Sequence, residues 1–496
     1  MKAAESTRTY QNFIGGAWVD GAGETYATVN PARPAQQIGR FQRSAPADVE
    51  RAVEAAAAAL PAWSGTPAPR RGALLLEAWR LLRERTEEFA QTLTLETGKA
   101  IADARGEVTR ALNVLEFTAG EGRRFTGQTI PSELPGNVIY TRRRPLGVVA
   151  VITPWNFPIA IPIWKIAPAL VCGNTVVFKP ATTTPLCAVR IVELFAEAGL
   201  PGGVLNLVTG EGGTLGERLI THPRVRGVSF TGSTEVGAGI YGRASAAMKR
   251  VQCEMGGKNA LVVMPDAALD LAAQAVIQGA YGFCGQRCTA TSRVVVHEQI
   301  LQPFLEALLP RIRALRVGDP TDPQTDMGPL ASESQLRKVQ EYLAIGQGEG
   351  ATLVLGGGRP PLARDGGYYV EPALFTGVTP QMRIAREEIF GPVLSLLTCR
   401  DLAHAVEIVN DSAFGFKAAI YSSSINDVMR FADGVDVAMV HVNTPTLGGE
   451  AHAPFGGRKG SGAGIKEQGR AAMEFFSEEM VMYVDYTGGQ RDARFL

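Results

Sequence analysis

The sequence predicts an α/β protein built on parallel sheets. Two long runs of alternating strand and helix patterns carry that prediction, one starting at Gly147 and the other at Ala260. Strand–helix–strand units of this length join parallel strands, and their helices cover both faces of the sheet. The composition agrees: 496 residues, 45% hydrophobic and 20% charged, suffice for two or three domains with their own cores.

Residues 10–30 alternate around Phe13-Ile14-Gly15-Gly16-Ala17-Trp18-Val19 and predict a hairpin turning at the glycines. An alanine-rich helix is expected over Asp48–Ala62. Apolar residues at helical spacing predict one helix over Arg70–Thr97, closed by Gly98, and another over Ile101–Phe117. Gly127–Arg144 leans towards β structure and reads as an arm projecting from the body. In the first α/β run the strands are Gly147–Ile152, Thr175–Phe178, Val204–Val208 and Gly227–Phe230. The helices between them are Ile159–Val171, Thr184–Ala198 and Gly213–Thr221. The second run has strands Ala260–Met264 and Val294–Val296, with helices Asp270–Phe283 and Gln299–Leu315. A helix over Ser332–Glu349 and a strand over Ala351–Leu355 follow, and Met480–Asp485 reads as a final strand.

Several function classes are disfavoured. The 49 basic and 49 acidic residues balance, so no bulk attraction to nucleic acid or a membrane surface is expected. The six cysteines sit mostly in apolar segments, as reduced thiols of a cytoplasmic protein do. Cys284 and Cys288 lack a second Cys/His pair, so no metal site is expected. The polar stretch Met1–Gln11 has no signal-peptide core. The apolar tract Pro145–Phe178 is broken by Pro154, Pro158, Pro162 and Pro168, which fits short buried elements better than a membrane span.

Candidate chemistry lies at strand ends, where open α/β sheets bind ligands. Gly237-Ala238-Gly239-Ile240-Tyr241-Gly242 satisfies a G-x-G-x-x-G pattern, but it starts too far past the strand ending at Phe230 to cradle a pyrophosphate. Gly232-Ser233-Thr234 is better placed, either to hold a phosphate or as an ordinary helix cap. Asn156, between Pro154 and Pro158, is either an Asx turn or a donor to a developing oxyanion. Lys179 is either a solvated strand-end lysine or a cofactor contact. Glu254, before Gly256 and Gly257, is either a surface carboxylate or a general base. Glu387 and Glu388 read by default as a solvated acidic turn. Cys288 alone reads as a small buried hydrophobe.

Taken in order, TPWNFP (153–158), FKPA (178–181), FTGSTEVG (230–237), EMGGK (254–258), GQRCT (285–289), EEIFGP (387–392) and PFGGRKGSG (454–462) closely resemble the aldehyde dehydrogenase superfamily. The resemblance spans nearly the whole chain, including FIGGAWV (13–19). It implies an aldehyde dehydrogenase-like fold: two parallel-sheet α/β domains plus a small β oligomerisation arm. The implied cofactor-binding domain is 1–124 with 142–252, and the catalytic domain is 253–442. The arm and C-terminal segment are 125–141 and 443–496, which implies a homodimer or homotetramer.

The resemblance also implies roles. Cys288 is the nucleophile, Asn156 an oxyanion donor and Glu254 the base that activates the hydrolytic water. Lys179, Thr182, Trp155, Ser233, Glu388 and Phe390 would contact the cofactor, together with Ile152, Thr153 and Gly256. Many NAD-preferring members carry a glutamate where this chain has Thr182. A carboxylate would repel a 2′-phosphate, so NADP is expected to be preferred, with NAD possible. Phe157, Ile161, Trp164, Arg287, Thr289 and Phe455 would line the aldehyde pocket.

Within the family, the stretches 161–165, 254–259 and 288–293 are most similar to 2-oxoglutarate semialdehyde (2,5-dioxopentanoate) dehydrogenases. Succinate-semialdehyde dehydrogenases often carry arginines where this chain has Trp164 and Gly282, and Arg287 is the candidate partner for a substrate carboxylate. A broad-range or succinate-semialdehyde dehydrogenase and a non-catalytic homologue are the alternatives, and intact Cys288, Glu254, Asn156 and Lys179 argue against the last.

Overall fold

The computed structural model describes residues 8–489, so parts of Met1–Gln11 and of the 443–496 segment lie outside the described residues. Two sheets organise the chain. The first has eight strands in the order Gly462–Ala463, Arg250–Glu254, Val225–Thr231, Val148–Ile152, Thr175–Lys179, Leu205–Leu207, Asn12–Ile14 and Ala17–Val19. Its central strands are parallel, and the two ends are closed by antiparallel additions. The second has seven strands in the order Thr352–Leu355, Ala373–Thr376, Val393–Cys399, Thr291–His297, Asn259–Val263, Lys417–Tyr421 and Met439–Val442. Only its Thr352–Leu355 edge is antiparallel. The four residues Met255–Lys258 carry the chain from one sheet to the other.

The tract Pro145–Phe178 resolves into the strand Val148–Ile152, the helix Ala160–Val171 and most of the strand Thr175–Lys179. The helix is buried on every side, which explains its apolarity; its one charge, Lys165, is paired with buried Glu467. Among the described residues no helix is long and apolar enough to cross a membrane.

Two expected helices differ from the sequence reading. Arg70–Thr97 is two helices, Ala68–Glu84 and Thr86–Thr97, broken at Arg85 (φ −106°, ψ 21°). The Thr86 hydroxyl donates back to the Arg83 carbonyl at 2.9 Å and so satisfies the end of the first helix. The apolar spacing runs on across the break, so periodicity does not reveal it. Gly98 closes the second helix with φ +74°, as expected.

The helix Leu269–Tyr281 stops short of Phe283. A tight turn follows in which Phe283 (φ 48°) and Cys284 (φ 54°) are both left-handed. Such conformations cost on the order of 1–3 kcal/mol each in non-glycine residues. Here Asp103 Oδ2 accepts the Phe283 N–H at 2.9 Å, and the Phe283 ring packs edge-on against Phe157.

The segment 443–489 divides between two places. Gly462–Ala463 joins the first sheet, whereas Ser477–Asp485 pairs antiparallel along all of Asn137–Pro145. With Thr129–Ile130 this makes a separate three-stranded sheet that exposes Ile130, Val138, Val481, Tyr483 and Val484.

Candidate active site

The seam between the two sheets brings the sequence-predicted residues together. Glu254 ends its strand at the seam and is 3% exposed. The Gly457 N–H donates to its Oε1 at 2.8 Å. A side chain at Gly456 would start 2.5 Å from Glu254 Oε2, so glycine there is a clearance requirement. Across the seam the Gly257 N–H donates to Glu388 Oε1 at 2.8 Å, and a side chain at Gly256 would start 2.4 Å from Glu388 Oε2. Burial, and secondarily the charge of Glu467, hold the Glu254 carboxyl well above the usual carboxylate range. Burial also raises Glu388. Glu254 is therefore not the surface carboxylate that the sequence alone allowed, and Glu388, partly buried, turns into the second cavity instead of standing in solvent.

Cys288 borders two cavities at once. Asn259 Nδ2 donates to its carbonyl at 2.8 Å, and the Thr446 hydroxyl donates to the next carbonyl, Thr289, at 2.7 Å. The thiol is pushed up to about 12, first by burial and then by Glu254, with Lys417 opposing. Asn156 is 3% exposed, and its Nδ2 donates to the Gln286 carbonyl at 3.1 Å, which aims the amide at the Cys288 loop. The Asn156 carbonyl accepts from Lys99 Nζ at 3.0 Å. Lys99 in turn pairs with Glu107, both fully buried. Glu107 Oε1 also accepts the N–H groups of Ile159 and Ala160 at 2.9 and 3.1 Å, capping the helix that follows Asn156. Breaking such a pair from one side costs about 3–5 kcal/mol, because a bare charge stays buried.

The first cavity, about 290 Å³, is walled by Phe157, Ile161, Trp164, Thr289 and Phe455. Phe455 packs against Trp164 and Phe416 with ring centroids 5.6 and 5.3 Å apart. Trp164 Nε1 donates to Glu467 Oε2 at 2.7 Å, and Glu467 also pairs with buried Lys165. Arg287 lines this cavity, but its Nη2 is bonded to Asp103 Oδ1 at 2.6 Å.

The second cavity, about 180 Å³, lies on the other side of Cys288 and is lined by Trp155, Asn156, Ser233, Gly256, Glu388 and Phe390. Phe390 has φ +60° and meets Trp155 edge-on at 5.4 Å. Gln335 Nε2 fixes that turn by donating to the Ile389 and Phe390 carbonyls at 3.0 and 2.9 Å.

A cleft of about 630 Å³ continues from there over the carboxyl ends of the first sheet's strands, past Ile152, Thr153, Lys179, Thr182 and Ser233. Lys179 is 3% exposed and not solvated. Its Nζ donates to the Pro180 carbonyl at 2.7 Å, and burial lowers it to about 8. Ser233 caps the helix Thr234–Ala246, so the Gly237–Gly242 pattern lies within that helix, as its position after the strand predicts. The hydroxyls of Thr153, Thr183 and Thr231 are buried in this cleft and have no protein partner among the described residues. A cation, a helix N-terminus and unpaired hydroxyls suit a nicotinamide dinucleotide.

Sequence reasoning missed Asp103, Gly106, Glu107 and Arg110, which line the first cavity from the helix Ile101–Glu121. Their i, i+3, i+4, i+7 spacing was the available signal, but a polar stripe at that spacing reads as a solvent face. It also missed Lys99, Lys165, Gln335, Lys417 and Glu467.

Comparison with known proteins agrees with this geometry. The aldehyde dehydrogenase family model matches residues 18–482. The chain is 44% identical over 480 residues to the 2,5-dioxopentanoate dehydrogenase of Saccharolobus solfataricus, covering 96% of this chain and 99% of that one. It is 45% identical over 486 residues to the alpha-ketoglutaric semialdehyde dehydrogenase of Bacillus subtilis, covering 98% and 100%. The crystal structure of an NAD-dependent aldehyde dehydrogenase from Sinorhizobium meliloti matches with a TM-score of 0.95 at 36% identity, over 99% of this chain and 97% of that one. The chain therefore belongs to the aldehyde dehydrogenase family, oxidoreductases of the aldehyde group that use a nicotinamide cofactor.

Proposed function

We propose that this enzyme oxidises 2-oxoglutarate semialdehyde to 2-oxoglutarate through a thioester on Cys288, with NADP preferred over NAD. The observation that carries the reaction is the position of Cys288 in the wall shared by two cavities, one apolar and one continuous with the dinucleotide cleft. The substrate is supported by the two relatives of 44% and 45% identity.

Cys288 attacks the aldehyde carbon, and Glu254, whose buried carboxylate is a stronger base than usual, takes the thiol proton directly or through water. Asn156 Nδ2 and the Cys288 N–H donate to the oxyanion of the thiohemiacetal. A lost donor of this kind costs roughly 3 kcal/mol in other oxyanion holes. When bound, the oxidised nicotinamide supplies the hydride acceptor; Lys179 and Thr182 would hold the adenosine ribose of the dinucleotide, Ser233 and Trp155 would lie at the pyrophosphate, and Glu388 with Phe390 would hold the nicotinamide ribose. Loss of hydride leaves the thioester. Glu254 releases the thiol proton to solvent and, ionised again, deprotonates the water that hydrolyses the thioester; that proton passes to the departing Cys288 sulfur, and the acid and the free thiol are released.

Thr182 in place of a carboxylate, with Lys179 buried in the same cleft, favours a 2′-phosphate. The exposed apolar residues on the three-stranded arm support assembly as a dimer or tetramer. Six free cysteines, five of them buried, support a reducing cytoplasmic setting. A second reading, a broad-range enzyme for apolar aldehydes, is favoured by the walls of Phe157, Ile161, Trp164 and Phe455. One experiment decides between them: kcat/KM for carboxylated and uncharged aldehydes of equal length, each with NAD and with NADP. The carboxylated C5 oxo-aldehyde with NADP should lead; an uncharged aldehyde in first place selects the second reading.

A further inference from the structure

The charges around the aldehyde cavity are unevenly committed. Asp103 carries two bonds, from Arg287 Nη2 and from the Phe283 N–H, so the charge of Arg287 is matched by Asp103, although its buried Nε has no protein partner among the described residues. Glu107 is taken by Lys99 and by the Ile159 and Ala160 amides. Arg110 remains. It lies one helical turn beyond Glu107 on the same cavity-lining stripe. Its Nη2 donates to the amide oxygen of Gln468, and among the described residues no carboxylate lies within ion-pair distance of it. The nearest acid that acts on it, Glu450, is exposed and pairs with His452. On the facing wall, Gly448 and Gly449 present no side chain to the guanidinium, and one at Gly449 would start 3.6 Å from Nη2.

We infer that Arg110, not Arg287, is the anchor for the carboxylate of the substrate. This rests on the oxo-acid reading proposed above. A half-buried guanidinium held by one neutral amide keeps its charge and a fork of donors for a carboxylate, whereas at Arg287 a second carboxylate would stand beside Asp103, which already neutralises it. Burial lowers Arg110 to about 10, so it stays cationic at neutral pH. Arg287 acts as a positioning residue: it ties the Cys288 loop to the helix Ile101–Glu121.

The test is the ratio of kcat/KM for 2,5-dioxopentanoate over that for pentanal, an uncharged aldehyde of equal length, with saturating NADP. R110Q should lower this ratio at least about tenfold, the usual scale for a lost charged hydrogen bond. R110K, which keeps the charge but loses the fork, should lower it less, by about threefold. R287Q should reduce both kcat/KM values together and leave the ratio near that of the wild type. If R110Q does not fold, the R110K ratio alone decides. An unchanged ratio in either Arg110 variant, or a collapse in R287Q alone, overturns the assignment. A wild-type ratio near one overturns the oxo-acid reading itself, and with it the anchor.

Discussion

The two cavities that share Cys288 are built on different plans. The cofactor side is built around short segments at strand ends, 152–156, 179–183, 231–233 and 255–256, and the turn at 388–390, with the helices Gly212–Thr221 and Thr234–Ala246 closing the cleft and Gln335 and Lys338 the second cavity. Each segment is contiguous, and each is shaped by backbone: a capped helix, a fixed turn, a glycine cleared for a carboxylate. The aldehyde side is assembled from side chains on separate elements, including the helix Ile101–Glu121, which precedes the strand Val148–Ile152. Chemistry common to a family therefore sits in segments that a reader can recognise. Choice of aldehyde sits in side chains that meet only in three dimensions.

The variants expected to have the largest effect strike the shared wall. C288A should abolish aldehyde oxidation, by at least about 10³-fold, as loss of a nucleophile does elsewhere. Fluorescence titration with NADPH should still detect binding, because the cofactor cleft does not depend on the thiol; loss of binding breaks the separation of the two sides. E254Q should come next, slowing turnover by about 10²–10³-fold. Its signature is kinetic: formation of the thioester slows with loss of the base for the thiol, but its decay slows more, so a slower burst of NADPH still precedes turnover. The pH dependence has a definite sign. Glu254 is held above the ordinary carboxylate range, so it is protonated at low pH and hydrolysis should rise as pH climbs through that elevated value. E254Q should lose this rise, and a decay that still climbs in the variant points to another base.

Smaller effects separate the two sides. F455A removes a ring wedged between Trp164 and Phe416, so KM for apolar aldehydes should rise about tenfold while KM for NADP holds. T182E should be the mirror image, raising KM for NADP about tenfold through repulsion of the 2′-phosphate and leaving KM for the aldehyde alone. Movement of both constants in either variant means that the cavities are coupled through Cys288 more tightly than their separate walls suggest.

The same contrast sets what the sequence could disclose. Both α/β runs, the arm strands and the seam residues Glu254 and Cys288 were legible, because apolar periodicity and family-like segments report local structure. The break at Arg85 was not, since apolar spacing crosses it unchanged. The left-handed pair Phe283 and Cys284 was not, since neither residue type favours that backbone and only the packing against Asp103 and Phe157 enforces it. Lys179 and Glu254 looked equally well solvated until their burial was known. Asp103, Glu107 and Arg110 have the composition of a solvent-facing stripe, and only the tertiary fold turns that stripe inward.

That stripe has a practical consequence. The helix Ile101–Glu121 is pinned at Glu107 by Lys99 and by the cap it gives to the helix Ala160–Val171. Gly106 and Arg110, on either side of Glu107, touch the cavity without taking part in that anchorage. For an engineer wishing to retarget the enzyme they are an exchangeable cassette: new side chains at 106 and 110 should alter what the pocket accepts, while the anchored residue between them keeps Asn156 against the Cys288 loop.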